Sequence, residues 1–460
     1  MPTRRHLSCT LSKTKGPRIS YTRLLTKHSV LATIPLSALE DRSLFASMKV
    51  RDYAYLWIGM LSSSFAMSMQ TIAQGWLVYE MSASALDLTW VTLAFMLPTI
   101  FFSLPGGVIA DRLPKKPIIA LAPIINGVAS LVMAMIIMFG HVTFWDFIWV
   151  GLVNGTVMAL SMPARTAFIP EIVGEKLMFN AMAFVTATWN LSRILGPALA
   201  GFMIAIFADG NNSSAFGVGL VFFVLSFLYF VSSVTVMFIR HHGVPESRQK
   251  ETALTDIKQC VSYVVNSPIV GGLMLLAIFP FMFGNSINIL LPAFNTDVLA
   301  GGPDDLGLLM TGMGVGAILG SLTLAKLGKL RRKGLWLLFT EALWGLTLIG
   351  FALTNTFTQA VVAVSAIGFV SAVNMSMNRS LVQLQVEQHM RGRVMSLDMM
   401  AHGVMPLGML PIGYISEVVS IEAGLTASGA MLFLCTIIMM FMIPKIRSIN
   451  TGFVNNTSTT

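Results

Sequence analysis

A few side chains able to exchange protons or hydrogen bonds lie inside long apolar runs of this chain, and their spacing is helical. Asn190 and Arg193 are three residues apart, as are Asn285 and Asn288; Asn374 and Asn378 are four apart and follow Ser371. Gln70 and Gln74 follow Ser63 and Met67 at steps of four, three and four. Such steps place side chains on one helix face. Amides donate and accept hydrogen bonds without the desolvation cost of a full charge. That chemistry suits a wall that holds an uncharged or amphipathic small molecule, and it suits equally a seam that ties helices together. Glu341 stands about seven residues into its own apolar run. A carboxylate at that depth is expensive, which makes it a candidate for proton coupling, with Arg193 as one partner to consider. The competing reading has it reach back to the interface or pair with Arg332 or Lys333. Asp398 and His402, one turn apart, suggest a second proton site, although Asp398 stands where it can also cap a helix or pair with a basic loop.

Nothing in the pattern asks for covalent chemistry. Cys9, Cys260 and Cys435 are far apart and form no CxxC pair, so neither a disulfide framework nor a metal site is indicated. No GxxxxGK[ST] loop for a nucleotide phosphate occurs. The reading is therefore of a protein that is not an enzyme and carries no cofactor.

The elements that position these groups follow from composition. Of 460 residues, 55% are hydrophobic and 11% charged, and the mean hydropathy is +0.74. A soluble domain carries about a quarter charged residues. Apolar runs of about twenty residues, enough for a helix to cross a hydrocarbon core of about 30 Å, recur at 53–80, 87–110, 117–139, 145–168, 177–206, 216–239, 268–298, 305–325, 334–354, 358–384, 394–418 and 424–443. The pattern predicts an all-α membrane protein with twelve transmembrane helices. The net charge of +9 lies in short clusters between these runs, which points to membrane topology and excludes nucleic acid as a partner. Lys and Arg fill the even-numbered gaps, for example Lys115 and Lys116, Lys176, Arg240, Arg331 and Arg391. The odd-numbered gaps hold none, and carry acids such as Asp87, Asp146 and Glu422. Positive loops stay cytoplasmic, so both termini are expected on the cytoplasmic side.

A polar connector divides the helices into two six-helix halves, 52–240 and 268–443, joined by residues 241–267 with a short amphipathic surface helix from Thr255 and solvated His241 and His242. Residues 1–51 read as a basic, disordered tail, with a start at Met48 or a transit-peptide-like segment as alternatives, and residues 444–460 as a polar C-terminal tail. In the fifth run Ser192, Gly196 and Ala200 form a small-residue stripe beside Pro197 and Gly201, the pattern of close helix packing.

The cytoplasmic turn between the second and third runs reads "GGVIADRLPKKP". It resembles the signature of the major facilitator superfamily, matching it at Gly107, Asp111, Arg112, Lys115 and Lys116, with Pro114 in place of the second glycine. The stretches "MPARTAFIPEIV", "NLSRILGPALAG" and "QLQVEQHMRGRVMSLDMM" are similar to the drug:proton antiporter branch that includes the enterobactin exporter and macrolide-efflux proteins. The resemblance runs from about residue 50 to 445. It implies the major facilitator fold, in the bacterial cytoplasmic membrane, acting as a monomer that exports a small molecule by alternating access in exchange for protons. A nutrient importer of the same fold, or a membrane receptor that moves nothing, is the alternative. In the family the signature loop braces the start of the eleventh span and sets the balance of conformations. Asp111→Asn, which keeps the size and removes the charge, is accordingly expected to insert normally yet slow transport; flux per inserted protein checks this.

Overall fold

Polar backbone groups have no partner in hydrocarbon, so a chain of this composition can cross it only as helices whose hydrogen bonds close internally. The computed structural model of the chain describes residues 45–208, 214–243, 261–326, 332–386, 394, 405–447 and 449, and among them every regular element is helical. The first half comprises α1 (Arg51–Ser82), α2 (Ala85–Arg112), α3 (Lys115–Met138), α4 (Phe144–Gly174), α5 (Lys176–Phe207) and α6 (Ser214–Met237). The second comprises α7 (Pro268–Asp297), α8 (Pro303–Lys326), α9 (Lys333–Ala352), α10 (Phe357–Gln385), α11 (Met405–Val418) and α12 (Ile421–Met442).

Among the described residues ten of these helices are long and apolar enough to cross a membrane. Serines and glutamines make α1, 32 residues long, more polar than the rest, and the expected beginning of the eleventh span falls outside the described residues. Large apolar side chains such as Phe101, Trp145, Phe227 and Phe441 are 63 to 69% exposed, as a lipid-facing surface requires. The surface helix expected from Thr255 is described only at 261–266, where it is helical.

Sequence punctuation sets the corners. Ser84, Thr356 and Ser420 accept hydrogen bonds from Asp87, Gln359 and Ala423 N–H at the starts of α2, α10 and α12. Gly174 turns the chain between α4 and α5 with φ of 69° and ψ of 172°, a conformation open to glycine. α7 is broken by a π turn at Pro280–Gly284, where Pro280 has no N–H to donate and Asn285 N–H reaches back to the Pro280 carbonyl at 2.9 Å. Ser428 of α12 donates to the Phe283 carbonyl of that turn at 2.6 Å.

Each half repeats the same neighbours: α2 packs on α4 and α3 on α6, as α8 packs on α10 and α9 on α12. Between halves α5 meets α8 and α2 meets α11, a pairing that exchanges under a shift of six helices. The contacts within halves are backbone-close. Gly368 of α10 lies against the Met313 carbonyl of α8, leaving no room for a Cβ. Overpacking of this kind costs about 1–3 kcal/mol, and Gly368→Ala is expected to lower the melting temperature of the purified protein by several degrees, read by tryptophan fluorescence.

Candidate functional site

Between the halves lie two adjoining cavities of about 410 Å³ each, which share Thr71, Phe281, Asn285 and Asn288. The π turn delivers the two asparagines to both, and they bond to each other, Asn288 Nδ2 donating to Asn285 Oδ1 at 3.2 Å. Opposite them, the polar face of α1 lines the first cavity through Ser63, Met67, Gln70 and Gln74. Gln70 forms the centre of an amide chain, donating to Gln74 Oε1 and accepting from Asn154 Nδ2, both at 3.2 Å. Ser63 also ties α1 to α6 through Ser232 at 2.6 Å, so on this helix wall and seam coincide. Arg193 lines the second cavity beside Pro197, Trp344, Ser371 and Arg379.

Other expected wall residues are elsewhere. Asn374 is 1% exposed and donates to the Leu337 carbonyl at 3.2 Å and Thr340 Oγ1 at 3.3 Å; Asn378 donates to the Leu273 carbonyl at 3.1 Å. Both are interhelical fasteners, because a buried carbonyl on the neighbouring helix captures each amide before it can face open space. Asn190 lines neither of these cavities. Gly196 is a contact to Ser68 of α1, and Gly201 a contact to Pro303 and Gly307 of α8, so the α5 stripe faces two helices. Glu341 is fully buried and lines neither cavity. The polar groups around it are Asn374 and Thr436, yet neither carboxyl oxygen has a hydrogen-bond partner, since Thr436 donates to the Leu432 carbonyl and Asn374 is engaged as above. It pairs with neither Arg193 nor the basic residues at the start of α9 among the described residues. Asp398 lies outside the described residues.

Arg165, in "MPARTAFIPEIV", went unread as a site residue because it stands close to the predicted end of its run, where a cation ordinarily faces the interface. It lines the first cavity with Tyr229 and Asn126, and its Nε has no partner. The readable signal was Ser161 one turn before it, continuing a polar face from Asn154.

The signature turn is tied into its own half. Lys115 is buried and pairs with Glu171 at 2.7 Å, while Lys116 Nζ donates to the Ile239 carbonyl at 2.6 Å. Arg112 is exposed, and the Asp111 side chain is outside what is described. His241, expected to be solvated, keeps 41% of its side chain exposed while its ring lies tilted 5.7 Å from that of Phe168 and Nε2 approaches Glu171 at 3.5 Å; Asp52 accepts from its backbone N–H and that of Arg240.

The halves touch at the end of the bundle opposite this turn. Tyr79 Oη donates to Asp297 Oδ2, Leu86 N–H to Glu417 at 3.4 Å, and Thr311 Oγ1 to the Ile194 carbonyl at 3.2 Å. Gly75 packs on Pro292 and Gly413 on Thr89.

Residues 42–457 match the transmembrane secretion effector family of transporters, more than half of the chain. The chain belongs to that family, within the major facilitator superfamily. Similar members include the multidrug efflux pump Tap of Mycolicibacterium fortuitum, 23% identical with 82% of this chain and 92% of that protein covered. The staphyloferrin A transporter of Staphylococcus aureus is 22% identical, with 84% and 96% covered, and the enterobactin exporter EntS of Shigella boydii 25%, with 74% and 80%. The fold is that of the nucleoside transporter NupG, at a TM-score of 0.69, 12% identity and coverage of 86% of this chain and 99% of that one. A bacterial homologue of the lysosomal transporter Spinster, inward-facing and unoccupied, gives 0.65 at 14% identity, covering 86% and 96%. This family member is thus a multi-pass membrane transporter.

The closed end depends on few bonds. A hydrogen bond to a charged group is worth about 1.5–3 kcal/mol, less where the acid is exposed as Asp297 is. Tyr79→Phe is expected to raise, roughly ten-fold, the rate at which Gln74→Cys reacts with an impermeant maleimide added on the side of the α1–α2 connection.

Proposed function

We propose that this protein is a secondary active exporter, moving a drug-like or siderophore-like small molecule out of a bacterial cell by alternating access in exchange for protons. The observation that carries the reading is the cavity built by both halves, with Gln70 and Gln74 of α1 facing Asn285 and Asn288 of α7. A site shared by two bodies is exposed to one side or the other as they rock, and one chain supplies both, so a monomer suffices. In this reading α1 and α11 join the ten apolar helices as spans, giving twelve, and the alternation of basic loops puts both termini in the cytoplasm of a cell whose inner membrane holds the protein. The contacts opposite the signature turn then close the outer side, leaving the substrate to enter from within. Relatives named as a multidrug efflux pump and as an enterobactin exporter support the direction.

Glu341 is the proposed proton carrier. A charge with no counter-ion around it and no hydrogen bond to either oxygen is costly in this setting, so a change in its surroundings between the two conformations would change its hold on a proton. It stands one turn before Trp344, which lines the second cavity and links the acid to substrate-dependent movement. The test is efflux from proteoliposomes across a compound panel, with and without a pH gradient. Glu341→Gln is expected to abolish the response to the gradient, a loss of at least ten-fold, while substrate binding is spared. Gradient-driven efflux at the normal rate removes Glu341 from the mechanism, and a panel unaffected by the protein overturns the export reading.

A further inference from the structure

The two cavities carry charge of one sign. Arg165 of α4 lines the first, and Arg193 of α5 and Arg379 of α10 line the second, while among the described residues no Asp, Glu, Lys or His lines either. None of the three guanidinium groups has an acid partner among the described residues, and Arg165 Nε is buried with no hydrogen bond. The acids are committed elsewhere. Glu171 holds Lys115 and His241, Asp52 accepts from the backbone at 240 and 241, Asp297 from Tyr79 and Glu417 from Leu86. Glu341 lies behind the cavity wall.

Arg193 and Arg379 are exposed and Arg165 is half-buried, so all three are open to the cavity space, and hydrogen-bonded glue does not need them: the amides at 374 and 378 fasten helices here without charge. Arginine's planar fork matches carboxylate and phosphate oxygens two at a time. We infer that the transported molecule is an organic anion bearing at least two separated carboxylate-like or phosphate-like groups, one held by Arg165 and another by Arg193 with Arg379. Trp189 and Phe281 line the same connected space with flat apolar surface, so the anion has an apolar or aromatic body. The direction of movement rests on the export reading above; the charge of the ligand does not.

The test is equilibrium binding to the purified full chain of three fluorescent probes: carboxyfluorescein (anionic), Nile red (neutral) and rhodamine 6G (cationic), followed by their release from proteoliposomes. Carboxyfluorescein is expected to bind at least ten-fold more tightly than rhodamine 6G. Arg165→Gln and Arg193→Gln are each expected to weaken it five-fold or more without weakening rhodamine 6G, and Arg165→Lys and Arg193→Lys to recover part of the loss. The lysine variants, screened with the others for a single elution peak, keep the result readable if a glutamine variant does not fold. Tighter binding of rhodamine 6G by the unaltered protein, or glutamine variants that hold carboxyfluorescein as well as it does, overturns the inference. Binding of the anion without its movement refutes export and leaves the anion site standing; movement of rhodamine 6G in preference to carboxyfluorescein does the reverse.

Discussion

Hydrocarbon offers no hydrogen bonds, and each polar group that this chain carries into it must find a partner in protein or open onto a cavity. The partners are found pairwise across helices. Ser63 bonds Ser232, Ser233 the Ala120 carbonyl, Asn378 the Leu273 carbonyl, and Ser428 the carbonyl freed by the π turn in α7. Unpartnered buried atoms remain on the cavity wall, at Arg165 Nε and the side-chain oxygens of Asn126 and Asn154, and also away from it, at the hydroxyls of Ser103, Ser130 and Ser192 and the indoles of Trp57 and Trp76. Glu341 is buried away from both cavities and still unbonded.

The fasteners also divide the bundle mechanically. Contacts inside each half run along whole helices, as at Gly155 on Phe95 and Gly316 on Ser365, where backbone meets backbone with no space for a side chain. Between the halves α5 and α8 also meet with backbone closeness, at Gly201 on Pro303 and Gly307 on Pro197, and single hydrogen bonds join the halves as well. Packed interfaces of this kind tend to have discrete arrangements, not a continuum.

Hydropathy was enough to read most of the helices: apart from the eleventh run, whose beginning falls outside the described residues, the described bounds lie within about six residues of the apolar runs, and ten of the helices have the length and composition that a span of lipid requires. The site was half legible. A step of three or four shows that Asn285 and Asn288, or Asn374 and Asn378, share a face, but the identity of the facing helix is a tertiary fact. The first pair meets a cavity because proline and a π turn interrupt α7, whereas the second meets intact neighbouring backbone. Arg165 was missed for a related reason, as nearness to a predicted helix end says nothing about which way the residue faces. The buried Lys115 was unforeseen because its partner Glu171 is 56 residues further on in another helix.

The arginine-lined space has an electrical meaning beyond recognition. Its positive charge belongs to the protein and stays within the membrane as the halves rock, so the charge that crosses is the cargo's own. For an inside-negative membrane, each negative elementary charge carried outward through 100 mV releases about 2.3 kcal/mol, which is roughly a fifty-fold concentration ratio when a factor of ten corresponds to about 1.4 kcal/mol. A proton moving inward through the same voltage adds an equal amount. If the cargo is the inferred anion and the direction the proposed one, voltage alone would drive export, and an anion with two charges would be expelled steeply even where the cytoplasm and the outside share the same pH.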